Sequence, residues 1–402
     1  MRFLFLFPLV LPLFLFTACQ VDTADRSPGQ TADRSPNGVR ALGGPERRAT
    51  EADFESTRRD TTWRQFRTAS ARGQARARNG EQSGGRALGA AALDTYAETL
   101  QIPLSGDVDG DAVFYAQILL NRAGFSPGQI DGMWGQNTEK AIYWFQEREG
   151  LDASGTLDRE TLERLTQEAD APDRPQGLTR THTLTEDQAE GPFRPTPDDI
   201  YEQAEMDRLV YESLSEMLGE EFHSRPAKLR ELNDGRSLDD LAAGDTVRVP
   251  DVRSGPIGGR GNIDRIVVSD GGRYLHAMSS DGRIAYHFPA TLGDQYNPSP
   301  AETLQIDSIT EDPWWHYQPE ILTDPQGDEE AQIPPGPNNA VGLVWMNLTK
   351  EHFGIHGTSE PGTIGHTASS GCVRLTNWDA LFLADLIETG ITVEFRDVDG
   401  RA

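Results

Sequence analysis

From Ile263 onward, apolar and polar residues alternate with a period of two, in runs broken by tight-turn signals. IDRIVVS (263–269), RYLHAMS (273–279) and RIAYHFPATLG (283–293) are separated by Asp-Gly-Gly and by Asp-Gly. Side chains alternate faces along a strand, and glycine supplies the positive φ that two-residue turns need, so this pattern predicts consecutive β-hairpins. VGLVWMNL (341–348) and FGIHGT (353–358) continue the strand pattern, NWDALFLADLIETG (377–390) reads as the one helix, and ITVEF (391–395) closes with a strand. A mostly β domain is expected over 260–396. Forty glycines and 25 prolines fit a chain rich in turns and linkers.

Upstream the periodicity is helical. DAVFYAQILLNRAGF (111–125) places apolar residues at Val113, Ala116, Ile118, Leu119 and Leu120, with Gly124 as a stop. A turn at Ile130-Asp131-Gly132 leads to a second helix, capped by Asn137 or Thr138 and ended by Gly150; Asp158 caps a third, whose Leu162 and Leu165 face inward. The segments IDGMWGQNTEKAIYWFQEREGL and GTLDRETLERL resemble the three-helix peptidoglycan-binding domain found on cell-wall enzymes, which implies a glycan-binding role for 108–167. Residues 168–199 are polar and proline-containing, a linker with one extended piece, THTLT. Over 200–252, the helices YESLSEMLGEEF and PAKLRELN and the strand GDTVRVP are similar to a LysM module with a degenerate opening strand, a spacer or a second glycan reader. The expected fold class is thus multidomain: a small three-helix bundle, an α+β LysM-like spacer and a mostly β C-terminal domain.

The N-terminus reads as an export signal over 1–18. Arg2 is a thin basic region and Phe3–Phe16 an apolar one, too short to span a membrane, which takes about 20 apolar residues. LFTAC (15–19) looks like a bacterial lipobox, which implies cleavage before Cys19 and a lipid on its thiol, and Gln20 fits sorting to the outer membrane. Residues 19–92 repeat TADRSP twice and are otherwise rich in Arg, Gly, Ala and Ser, a composition expected to stay disordered as a tether. With 37 basic and 64 acidic residues, the net charge of −27 excludes a nucleic-acid binder.

Only two cysteines occur, Cys19 and Cys372. With Cys19 lipidated, Cys372 is a lone thiol in an oxidising compartment. It can be an inert core residue, half of a disulfide, a ligand in a zinc set with His352, His356 and His366, or a nucleophile. The polar Ser369-Ser370-Gly371 before it fits a core position poorly. A nucleophilic thiolate needs a base, and His356 ends a strand sixteen residues earlier, with the small-residue stretch GTIGHTASSG between them. The amides of Gly371 and Cys372 are candidates to face an oxyanion, and the Gly357 carbonyl or Thr358 hydroxyl to orient the imidazole.

IHGTSEPGTIGHTASSGCVRLTNWDA resembles the active-site signature of the YkuD-like L,D-transpeptidase family: a histidine followed by glycine, then S-x-G-C-hydrophobic-R-hydrophobic-x-N. PATLGDQYNPSP, DPWWHYQP and IPPGPNNAVG are further landmarks. The resemblance implies Cys372 as nucleophile, His356 as base and Gly357 as the orienting position, with Ser369, Ser370, Gly371 and Arg374 shaping the oxyanion and substrate pocket. It implies a 3→3 cross-link between peptidoglycan stem peptides through a cysteine thioester, with release of D-Ala and no cofactor or metal. Two positions depart from the family: Ser370 stands where many members have a second histidine, and PSPAETLQI stands where the family shows T-P-x-G-x-F. Hydrolysis on the same scaffold, as a carboxypeptidase or endopeptidase, and a catalytically silent wall-binding lipoprotein are the alternatives. The expected partners are stem peptides, glycan and the outer membrane through Cys19, and the expected place is the periplasm.

Overall fold

The computed structural model describes residues 87–106, 108–252, 263–293, 296–322 and 325–396. The export signal, Cys19 and all but the end of the 19–92 tether lie outside the described residues. That end holds the start of a helix, α1 (Ala90–Thr99), in a stretch expected to be disordered. Leu93, Tyr96 and Leu100 form a short apolar stripe that is buried in the helical core, and the Tyr96 hydroxyl donates to the Pro172 carbonyl at 3.0 Å.

The bundle therefore has four helices rather than three, with α2 (Asp111–Arg122), α3 (Gln136–Glu149) and α4 (Arg159–Glu168) following α1. Asp158 caps α4 by accepting from the Thr161 amide at 2.8 Å. Neither Asn137 nor Thr138 caps α3, which starts after Gly135 and ends at Gly150 in the left-handed region. Asn137 is instead spent on the C-terminal domain, as described below.

Next come β1 (Thr179–Thr183), α5 (Glu186–Glu190), α6 (Ile200–Ala204), α7 (Leu214–Glu221), α8 (Pro226–Leu232) and β2 (Thr246–Pro250). β1 pairs antiparallel with β2, Thr179 opposite Pro250 and Thr183 opposite Thr246. The opening strand of this β-α-α-β spacer thus lies in the stretch expected to be linker, and the unit begins about twenty residues before the expected boundary at 200. Leu184, Leu218, Phe222, Leu229, Val247 and Val249 form its core. α6 and the chain to Leu209 leave this core and pack on the C-terminal domain.

That domain contains β3 (Ile263–Ser269), β4 (Tyr274–Ser279), β5 (Ile284–Pro289), β6 (Leu292–Gly293), β7 (Thr303–Glu311), β8 (Trp315–Tyr317), β9 (Ala331–Ile333), β10 (Val344–Leu348), β11 (Gly354–His356), β12 (Ala368–Ser369), β13 (Val373–Arg374), α9 (Asn377–Leu386) and β14 (Thr392–Arg396). Eight strands form one sheet in the order β13-β11-β10-β7-β14-β3-β4-β5; β13/β11 and β14/β3 are its parallel pairs. One face, including Ile266, Ile306, Met346, Ile355 and Val373, closes on Leu383 of α9 to make the core. The β8–β9 hairpin belongs to a second apolar cluster, with Trp345 and Cys372.

Both upstream units dock on this domain. The bundle bridges edge strand β5 through Phe125 and His287, and Lys140 Nζ donates to the Gly272 carbonyl at 2.8 Å. The spacer meets the N-terminal turn of α9, where His223 stacks on Trp378 with ring centres 5.2 Å apart.

Candidate active site

β11 and β13 are adjacent parallel strands, with Ile355 opposite Val373 and His356 opposite Arg374. Ile355 and Val373 point into the main core. By alternation, His356 and Arg374 take the opposite face, together with Cys372, which directly precedes β13. The cluster memberships agree: Cys372 packs with Trp345, and Trp345 is the β10 partner of His356 and stacks on its ring at 5.3 Å. The imidazole and the thiol are thus diagonal neighbours on one sheet face. Gly354 has no side chain because the Trp345 ring occupies that space, with an added Cβ only 2.5 Å from it.

His356 Nδ1 lies 2.6 Å from the Gly357 carbonyl. A carbonyl only accepts, so this contact puts the proton on Nδ1 and leaves Nε2 with its lone pair, the tautomer a general base requires. Gly357 itself accommodates the Asn377 side chain: a Cβ there would stand 2.1 Å from Asn377 Oδ1. That oxygen accepts from the amides of Leu343 and Thr358, both at 3.1 Å.

The turn before the thiol is locally satisfied. Ser369 Oγ donates to the Cys372 carbonyl at 2.6 Å and accepts from the Gly371 amide at 3.3 Å. The Gly371 N–H expected to face an oxyanion is therefore already engaged, and Gly371 acts through shape: its φ is +105° and a Cβ would meet the Phe353 ring at 2.8 Å. Ser370 Oγ is buried and has no hydrogen-bond partner among the described residues. Arg374 is buried, and its backbone pairs with Thr291. The small-residue loop that connects His356 to Cys372 is pinned at its middle by the bundle, where Asn137 Nδ2 donates to the Ile364 carbonyl at 2.9 Å.

Cys372 is a free thiol that is only 1% exposed, and His356 is equally buried. The polar sequence before the cysteine suggested an open loop; the structure instead closes the site. Cys372 Sγ donates to the carbonyl of His352, 3.7 Å away, and His352 holds a positive φ of 66°. Trp315, Tyr317, Ile333 and Val341 extend the apolar cluster around the thiol, whereas Trp314 is 46% exposed. Residues 200–210 strap this lid down. Leu209 exchanges backbone hydrogen bonds with Pro335 and Asn338, Arg208 pairs with Asp312 through both guanidinium nitrogens, and Tyr201 Oη sits 3.0 Å from the carbonyls of Gln326 and Glu329. Gly336 has φ +146° and a Cβ there would overlap the Leu209 carbonyl at 2.0 Å, so the strap requires glycine at that point. Among the described residues, no group of three or more His, Cys, Asp or Glu is placed to hold a metal, and no helix is long and apolar enough to cross a membrane.

Residues 263–395 match the family model for the YkuD L,D-transpeptidase catalytic domain. The C-terminal domain is thus similar to an L,D-transpeptidase catalytic domain over nearly its full length. Residues 109–165 match a model described as "Putative peptidoglycan binding domain". The L,D-transpeptidase match extends to curated relatives. "Putative L,D-transpeptidase YkuD" of Bacillus licheniformis is 28% identical over 182 residues, 44% of this chain and 90% of that protein. "Probable L,D-transpeptidase ErfK/SrfK" of Escherichia coli is 29% identical over 136 residues, 33% of this chain and 44% of that protein. The chain thus spans most of the first relative and less than half of the second. A solved L,D-transpeptidase from Xylanimonas cellulosilytica aligns over 73% of this chain and 97% of its own at 15% identity, with a TM-score of 0.32.

Two features of this region have no role assigned from the sequence: Asn377, which the signature gives only as its closing position and which sits directly after the helix-capping Thr376, and the 200–210 strap, which has no local signal.

Proposed function

We propose that the protein is a peptidoglycan L,D-transpeptidase that forms 3→3 cross-links. Cys372 is the nucleophile, His356 the base, and the Gly357 carbonyl holds the imidazole. The Cys372 thiol gives its proton to His356 Nε2, and its sulfur attacks the carbonyl that precedes the terminal D-Ala of a tetrapeptide stem. The C–N bond breaks, His356 returns the proton to the departing D-Ala amine, and a thioester remains. An amine from a second stem attacks the thioester, His356 takes its proton, and the thiolate leaves. The observation that carries this reading is the shared face of His356 and Cys372, with Nδ1 tied to the Gly357 carbonyl so that Nε2 keeps the lone pair that accepts the thiol proton.

Substrate entry requires the β8 and β9 strands, whose Trp315, Tyr317 and Ile333 share the apolar cluster of Cys372, to lift from the thiol. The unpartnered Ser370 hydroxyl, next to the nucleophile, is a donor for the substrate carbonyl, and Arg374 a support for the pocket floor. The bundle would hold the enzyme on glycan, and a lipid on Cys19 would place it at the periplasmic face of the outer membrane.

Incubation of the protein with purified disaccharide-tetrapeptide, followed by mass spectrometry, tests this. Cross-linked dimer plus free D-Ala is expected. Tripeptide without dimer would replace transfer by carboxypeptidase action. No product in wild type, as in Cys372→Ala, would leave a silent wall-binding protein.

A further inference from the structure

Glu220 belongs to α7 of the spacer, far in sequence from the signature, yet both of its carboxylate oxygens lie 3.0 Å from Asn377 Nδ2. Asn377 is 2% exposed, and its remaining polar contacts are equally defined. Nδ2 also reaches the Pro337 carbonyl at 3.2 Å, while Oδ1 accepts from Leu343 and Thr358. The Thr358 amide and the Gly357 carbonyl are the two ends of one peptide group, and that carbonyl holds His356 Nδ1. A continuous chain of hydrogen bonds therefore runs from the Glu220 carboxyl group through the Asn377 amide and the 357–358 peptide to the imidazole. Every donor along it points the same way, from the histidine toward the glutamate, so each bond polarises the next and the Gly357 carbonyl becomes a better acceptor.

The surroundings are shaped to this chain. Gly342, at φ +66°, and Gly357 both leave the space that Asn377 Oδ1 fills; an added Cβ would come within 2.0 and 2.1 Å of that oxygen. At the far end Tyr211 Oη donates to Glu220 Oε2 at 3.2 Å.

We infer that Glu220, acting through Asn377, is a positioning residue for the catalytic histidine, so that full activity requires the spacer to be docked. The inference rests on the transpeptidase reading of the site. Functionally it places in the spacer the outer carboxyl group that orients the base, two hydrogen-bonding units removed from the imidazole. A buried contact that served only to glue two domains would have no reason to end on the peptide group that sets the histidine tautomer.

The full chain is tested as wild type, Glu220→Ala, Glu220→Gln, Asn377→Ala and Arg236→Ala. The last breaks an exposed spacer ion pair with Asp245, remote from this chain of contacts. Two readouts are compared: turnover of disaccharide-tetrapeptide, split into kcat and KM, and the pH profile of Cys372 alkylation by iodoacetamide, which needs no substrate. Removal of outer partners from metal-bound histidines costs about 10–100-fold, and a loss of that order in kcat is expected for Glu220→Ala and Asn377→Ala. KM should stay within about twofold, and the alkylation profile should move toward that of His356→Ala. Glu220→Gln keeps an oxygen for Asn377 and should recover most of kcat, with Arg236→Ala at wild-type level. Wild-type kcat and alkylation in Glu220→Ala, or equal losses in Glu220→Gln and Glu220→Ala, would overturn the inference. Enhanced alkylation with no turnover in wild type would instead overturn the transpeptidase reading, so the two failures are distinct.

Discussion

The bundle and the spacer both dock on the catalytic domain, but they hold different things. The bundle grips mainly periphery: edge strand β5 through Phe125 and His287, the Gly272 carbonyl through Lys140, and the middle of the histidine–cysteine loop through Asn137; it also touches α9, where Ser126 Oγ donates to Asp379 Oδ2 at 3.0 Å. The spacer grips the N-terminal turn of α9 with His223, which stacks on Trp378, is 3.1 Å from Asn121 Nδ2 and 3.4 Å from Thr376 Oγ1, and it reaches the base through Glu220. Through Asn377 the spacer seam reaches the 357–358 peptide beside His356, whereas the bundle seam holds β5, the Gly272 carbonyl and the Ile364 carbonyl.

The largest effect is expected from removing either His356 or Cys372, the two side chains that the proposed reaction uses directly. His356→Ala should lower turnover by about 10²–10⁴-fold and Cys372→Ala should abolish it, as read by D-Ala release.

The next effect separates the seams by where a deletion is felt. His223→Ala removes the contacts to Asn121 and Thr376 and the stack on Trp378 and should cost about 2–3 kcal/mol of stability in denaturant unfolding. Asn137→Ala removes one bond to Ile364 and should cost about 1 kcal/mol with kcat on soluble muropeptide unchanged. An equal kcat loss in Asn137→Ala and Asn377→Ala would erase the distinction between the seams.

A smaller difference lies in pH. In the bundle seam, burial lowers His276 to about 3 and His287 well below its usual range. In the spacer seam, burial lowers His223 to about 3, but it also raises Asp379 to about 7 and Glu220 to about 8. A histidine with a depressed pKa contributes stability above its unfolded value near 6.5, and that contribution is lost as pH falls toward 3. A carboxyl with a raised pKa contributes stability below its unfolded value near 4, and that contribution is lost as pH rises through 7 to 8. Acid should thus loosen both seams, and mild alkali chiefly the contacts of α7 with the N-terminal turn of α9, where Ser126 of the bundle also donates to Asp379 Oδ2 at 3.0 Å. Hydrogen exchange corrected for intrinsic rates should show protection of α7 and α9 falling between pH 6 and 9 while α3 and β5 hold steady; parallel loss in both would contradict the assignment.

The same contrast explains what was legible in the sequence. β3, β4 and β5 stood out because period-two alternation and glycine turns are local signals, and Asp158 was readable as a cap for the same reason. Of β1 only an extended piece of linker was legible, THTLT, overlapping it at 181–183: TRTHT exposes Arg180, Thr181 and Thr183 and has no apolar face, so its pairing with β2 and its place in the spacer had no local signal. The boundary of the spacer moved with it. His356 and Cys372 were legible from spacing and signature, but the burial of the thiol was not. Ser369 and Gly371 read as solvent-loving, whereas they satisfy each other and the Cys372 carbonyl, which lets a polar turn lie under an apolar lid. Glu220 and the strap at Leu209 depend on contacts more than one hundred residues away in sequence, which no local pattern encodes.

The central claim is that Cys372 forms a covalent acyl-enzyme with the help of His356. Intact-protein mass spectrometry of the full chain, quenched in acid after mixing with disaccharide-tetrapeptide, measures it directly. The account predicts a mass increase equal to the substrate less D-Ala, mapped to Cys372, slow in His356→Ala and absent in Cys372→Ala. D-Ala release by wild type with no adduct at any time, or an adduct that persists in Cys372→Ala, would contradict it.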